Sequence, residues 1–125
     1  MKQILLTLTL LTSSFFLKAQ TINDVPVKDI DVNYVQIVGE AKPLAAKPRV
    51  QIDFGQRTKM FSSGKDNTVR DEAGKIVKFN SMMDALNFFS SYGFELVSSY
   101  VTPESNADFN NTTHYYILKN TNKKK

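Results

Sequence analysis

The chain has no cysteine and no tryptophan, and in 125 residues it holds one histidine, five glycines and four prolines. Without cysteine there is no disulfide, no thiol nucleophile and no thiolate metal site. A lipid-anchored lipoprotein is excluded too, because no cysteine is available to carry the lipid. Zinc needs three or four histidine, cysteine or carboxylate ligands, and one histidine without thiols does not supply that set. A long hydrophobic run is also missing. The most apolar stretch, Ile4 to Leu17, is 14 uncharged residues, nine of them Ile, Leu or Phe and five of them Ser or Thr. A membrane-spanning helix wants about 20 apolar residues.

What this stretch does fit is an export signal. Met1-Lys2 gives a short positive start, the apolar run follows, and Lys18-Ala19-Gln20 closes it with the small Ala19 before the cut. The expectation is a signal peptide over residues 1–19, no stable membrane anchor after cleavage, and a mature protein in the periplasm or secreted. Lys2 and Lys18 leave with the signal, so sixteen basic residues fall to fourteen against twelve acidic, a formal charge of +2. Three of those positive charges are Lys123, Lys124 and Lys125, and without them the body is at −1. Nucleic-acid binding needs a basic face, and this body has none to offer. Residues 121–125 read as a flexible, solvated, Lys-rich tail, with polyanion binding as its functional alternative.

Residues 20–120 are enough for one modest core, and the phenylalanines and tyrosines supply its bulk. The leader from Gln20 to Asp29 has no clear period. Val32 to Val38 reads as a first strand. Arg49 to Phe54 alternates cleanly, with Val50, Ile52 and Phe54 facing one way and Gln51 and Asp53 the other, as in a half-buried strand. Asp71 to Lys75 reads as a turn between two short strands, Thr68–Arg70 and Lys75–Phe79. Ser81, with Asp84 three residues on, resembles a capping box. A period of 100° per residue then puts Met82, Ala85, Leu86, Phe89 and Tyr92 on one face of a helix. Gly93 suits the left-handed residue that ends it, and Phe94 is placed to touch Phe89. Leu96–Thr102 and Thr112–Lys119 read as a closing hairpin around a polar loop. The predicted fold class is α+β: a small antiparallel sheet of about four to five strands packed on one main helix.

The stretch from Phe79 to Lys119 carries a resemblance. Phe79-Asn80-Ser81, Asp84-Ala85-Leu86-Asn87, Gly93-Phe94-Glu95-Leu96-Val97 and His114-Tyr115-Tyr116-Ile117-Leu118-Lys119 are similar to the small bacterial family called domain of unknown function 4177. In that family a helix with a Leu-Asn step leads into Gly-Trp-Glu-Leu-Val, and the last strand ends in Leu-Lys-Arg. Here Phe94 stands where Trp is usual, and Asn120 where Arg is usual. Asp53-Phe54-Gly55-Gln56 and Asp71-Glu72-Ala73-Gly74-Lys75 look like the exported versions in Bacteroidota-type bacteria. The resemblance implies an α+β fold in an exported bacterial protein. It carries no activity, cofactor or catalytic residue.

The chemistry thins out on inspection. His114 is the only histidine, and no serine sits in a nucleophile-elbow pattern beside it. Asp53 and Glu95 are the best pair of carboxylates for an acid–base hydrolase, and they would have to approach each other across a cleft. Calcium needs only oxygens. Asp66, Asn67, Asp71 and Glu72 cluster, and Glu104, Asn106, Asp108 and Asn110 alternate, but neither group has the EF-hand spacing, and turn chemistry explains both. Asp53-Phe54-Gly55 matches the kinase metal-binding triplet by chance, since the other kinase loops are missing.

Tyr115 and Tyr116 must point to opposite faces of their strand. An exposed tyrosine cluster, with Tyr100 sharing a face with one of the two, beside Gln51 and Asp53, is a candidate sugar or peptide surface. The candidate binding residues are thus Asp53, Glu95, His114 and Tyr115, with no catalytic set, metal or cofactor. The function expected is a non-catalytic binding or assembly module of the bacterial envelope. Its partner is an envelope protein or a glycan, and self-association through an edge strand is open to it. The alternative is a small envelope hydrolase acting on glycan or peptide.

Overall fold

The computed structural model describes residues 19–41, 47–55, 67–103 and 112–123. The expectations for the export signal before Ala19, for Asp66, for Glu104, Asn106, Asp108 and Asn110, and for Lys124-Lys125 lie outside the described residues. The chain is mixed α+β with sheet dominant. Its strands are β1 (Thr21–Ile22), β2 (Val25–Pro26), β3 (Tyr34–Ala41), β4 (Arg49–Asp53), β5 (Val69–Arg70), β6 (Phe94–Pro103) and β7 (Thr112–Asn120). Its one helix is α1 (Met82–Ser90), and a 3-10 turn spans Val27–Asp29.

The strands form two antiparallel sheets rather than the single sheet expected. One has three strands in the order β2-β1-β5, the other four in the order β4-β3-β7-β6. The leader is the reason. Asn23 and Asp24 both take positive φ, at 50° and 64°, and lie between the paired residues Ile22 and Val25. That is the two-residue hairpin turn whose twist matches its strands, made by residue types that tolerate the left-handed region. The strands it joins are too short to show a period. β5 then pairs with β1, Val69 opposite Ile22. The expected strand at Lys75–Phe79 shrinks to a single bridge between Ile76 and Arg70. Asp71 holds the intervening turn, its Oδ1 accepting the N–H groups of Ala73 and Lys75 at 2.9 Å each.

The helix forms as its sequence directs. Ser81 Oγ accepts the Asp84 N–H at 3.1 Å, and Asp84 Oδ2 reaches back to the Asn80 N–H at 2.9 Å. The back-bond lands one residue earlier than in a standard capping box. Ala85 and Phe89 are fully buried, and Met82, Leu86, Phe88 and Tyr92 pack against them. Gly93 at φ 83° turns the chain out of the helix. Phe94 then meets Phe89 edge to face at 6.0 Å.

One core joins both sheets and the helix. Ile22, Val27, Ile30 and Val69 meet Val35, Ile37, Val50, Ile52 and Leu118 under Phe79, Phe89 and Phe94. Each fully buried side chain of this size contributes about 1.5–3 kcal/mol. The helix covers one face of the four-stranded sheet. Gly39 marks that face, because any Cβ there would run into the Met82 side chain.

Thr121 to Lys123, expected as part of a flexible tail, are held by hydrogen bonds. Thr121 donates from both N–H and hydroxyl to the Gly93 carbonyl at 2.8 Å. Asn122 Nδ2 donates to the Tyr92 carbonyl at 3.0 Å, and Lys123 Nζ reaches the Asp31 carbonyl at 3.1 Å. Carbonyls at a helix end have no partner within the helix, and here the chain terminus provides the donors.

Candidate functional site

Antiparallel register decides what each sequence candidate can meet. On the sheet face away from the helix, directly opposed residues line up in rows across β4, β3, β7 and β6. One row reads Asp53, Gln36, Ile117, Ser98, and the next Gln51, Val38, Tyr115, Tyr100. Glu95 lies on the same face, opposite Lys119. His114 is opposed to Gly39 and Val101, so it points to the helix side and is half-buried.

Asp53 and Glu95 therefore sit on the two outermost strands, separated by three strand spacings, roughly 14 Å. Both are exposed. Asp53 Oδ1 is engaged locally, accepting the Gly55 N–H at 2.8 Å. The geometry brings neither carboxylate to the other nor His114 to either one. A shared proton relay needs hydrogen-bond reach, so this set does not form a hydrolytic site.

Tyr115 does acquire neighbours. Its ring stacks on Tyr100 with centroids 4.6 Å apart and planes 9° from parallel. Gln36 Nε2 donates to the Tyr100 hydroxyl at 3.1 Å. Tyr100 thus shows one ring face to Tyr115, and its hydroxyl reaches across β7 to Gln36 on β3.

The strongest feature is β6 itself. It is ten residues long and forms one edge of the four-stranded sheet. Phe94 is buried, and every residue from Glu95 to Pro103 is exposed. Leu96, Val97, Tyr100 and Val101 remain 44%, 58%, 44% and 53% exposed. Alternation sends these side chains to both faces, with a register shift between Leu96 and Ser98. The helix end that packs on Phe94 does not shield the later residues. An uncharged strand, apolar on both faces, ordinarily belongs in a sheet centre with both faces covered. Among the described residues, nothing pairs with the outer side of this one.

The sequence pattern flagged Tyr100 but not Leu96, Val97 or Val101. Their signal was available, since apolar pairs at 96–97 and 100–101 put bulk on both faces. That pattern reads as core, and only the strand order shows it to be an edge.

A depression of about 360 Å³ lies between Pro26, Lys28, Asp29, Asp71, Glu72 and Gly74. Among the described residues no three histidine or acidic side chains gather closely enough to hold a metal ion, and the Asp71 carboxylate is already committed to its own turn. No helix of the described residues is long and apolar enough to cross a membrane.

No family model matches the chain, and neither a curated protein nor a solved structure is significantly similar to it. The resemblance at Phe79–Lys119 therefore rests on those motifs alone.

Proposed function

We propose that the chain is an exported, non-catalytic binding or assembly module of the bacterial envelope, and that it binds through strand β6. The observation that carries the reading is a ten-residue edge strand with Leu96, Val97, Tyr100 and Val101 uncovered on both faces. An open edge offers backbone N–H and C=O groups in register, which another strand satisfies while its side chains meet the alternating residues. This favours a protein partner over a glycan. The separation of Asp53, Glu95 and His114 supports a module without catalysis. The export reading is supported by the signal-like residues before Gln20.

The test is photo-cross-linking in the native envelope. The full chain is expressed with a photoreactive phenylalanine analogue at Val97, Tyr100 or Val101, and at Asp53 on the opposite edge. The expected result is processing to a shorter form in the envelope fraction and a protein adduct from the β6 positions only. Absence of an adduct from all three β6 positions overturns the proposal.

A further inference from the structure

We infer that β6 pairs antiparallel with β6 of a second copy of this chain, with Tyr100 on the two-fold axis. This rests on the reading of β6 as the binding edge and names its occupant.

The limits of the strand fix the register. At its start, the register shift between Leu96 and Ser98 breaks the straight ladder around Val97. At its end stands Pro103, which has no N–H to donate. The uninterrupted pairing stretch thus runs from Ser98 to Thr102, and its centre is Tyr100. Laid antiparallel on itself about that centre, Ser98 opposes Thr102, Ser99 opposes Val101, and Val97 reaches Pro103.

Charge agrees with this arrangement. No residue from Leu96 to Pro103 is charged, so no like charges oppose each other anywhere in the paired stretch, and Glu95 falls outside it. Like charges directly opposite would destabilise the pair. Strand β4, by contrast, carries Arg49 and Asp53 at its ends.

The tyrosine stack supplies the central contact. Tyr100 already has one ring face against Tyr115. About that axis the two Tyr100 residues stand directly opposed on the same face of the joined sheet, so the row extends to Tyr115 and Tyr100 from each copy. The contact is isologous and closes as a dimer, and two four-stranded sheets become one of eight strands.

The experiment uses the mature protein purified from cells expressing the full chain. Sedimentation equilibrium is expected to give a dimer, and Val101→Lys to raise its dissociation constant at least tenfold. The cysteine-free sequence allows the register to be read directly. Opposed Cα atoms lie about 4.5–5.5 Å apart, within a disulfide's reach. Tyr100→Cys is therefore expected to form a disulfide-linked dimer on mild oxidation. Ser98→Cys is expected to do so only when mixed with Thr102→Cys. A monomer at all concentrations, with folded Tyr100→Cys staying reduced, overturns the inference. Linkage of Ser98→Cys to itself overturns the register. If the protein is monomeric but photo-cross-links at β6 to a different envelope protein, self-pairing falls and the binding edge stands. Neither dimer nor adduct ends both.

Discussion

The two edges of the four-stranded sheet are built differently. Strand β4 is five residues long, buries Val50 and Ile52, and ends in Arg49 and Asp53. Its outer side is also occupied, because the Ile52 N–H donates to the Asn67 carbonyl at 2.7 Å. Asn67 in turn accepts a side-chain hydrogen bond from Asn23 in the β1–β2 turn, at 3.3 Å. Strand β6 is twice as long, uncharged past Glu95, and buried only at Phe94. One edge carries the devices that protect a sheet from adding strands: shortness, terminal charge and a covering segment. The other is long, carries an irregularity near Leu96, a charge only at Glu95 and a proline only at its end, and among the described residues no segment covers it. An edge can be left this way without aggregation when something pairs with it, and that contrast is the ground on which β6 is proposed as the binding surface.

Several substitutions would break or sharpen this contrast. The largest effects belong to the residues that tie the edges into the core. Phe94→Ala is expected to cost about 3–5 kcal/mol, and Ile52→Ala about 2–5 kcal/mol, measured by denaturant unfolding. Val97→Ala, three residues beyond Phe94 in the same strand, is expected to stay within about 0.5 kcal/mol under monomeric conditions. A large loss at Val97 would mean that β6 is covered after all.

Next comes Gly93→Ala. Position 93 has φ 83°, and the Asn122 side chain fills the space that a Cβ would take. A loss of more than about 1 kcal/mol is expected, because a residue with a Cβ is strained there. No loss would show that the helix end does not set the start of β6. Asn23→Ala removes the side-chain bond that holds Asn67 near β4. About 1 kcal/mol is expected, together with faster hydrogen exchange at the Ile52 amide. Unchanged exchange would show that the covered edge does not depend on the N-terminal hairpin.

The smallest effect on folding is expected for Val101→Lys, within about 0.5 kcal/mol, although it is the variant that should weaken pairing at least tenfold. Ser81→Ala provides the calibration away from both edges. Loss of its cap to the Asp84 N–H should cost about 1 kcal/mol and leave association unchanged.

The helix and the closing hairpin were legible in the sequence because local chemistry specifies them. The cap at Ser81, the apolar face from Met82 to Tyr92, the stop at Gly93 and the Phe89–Phe94 contact depend on residues a few positions apart. The opposite orientations of Tyr115 and Tyr116 follow from the two-residue period of a strand, while the register decides that Tyr100 shares a face with Tyr115. The N-terminal hairpin was not legible, because strands of two residues carry no period, although Asn23-Asp24 held the turn signal. The holding of Thr121 to Lys123 was equally hidden, since it depends on carbonyls of Asp31, Tyr92 and Gly93, far away along the chain.

By itself, then, the sequence determined the helix, the pairing of the last two strands, the absence of thiol chemistry and the signal-like start. Strand order was left to tertiary structure. A run such as Leu96 to Val101 satisfies the demands of a buried strand and of an adhesive edge equally well, because both ask for uncharged residues on two faces. Which one it becomes depends on whether another strand lies beyond it. Here β7 takes the place between β3 and β6, Asp53 and Glu95 fall on opposite edges, and the apolar strand ends up outermost.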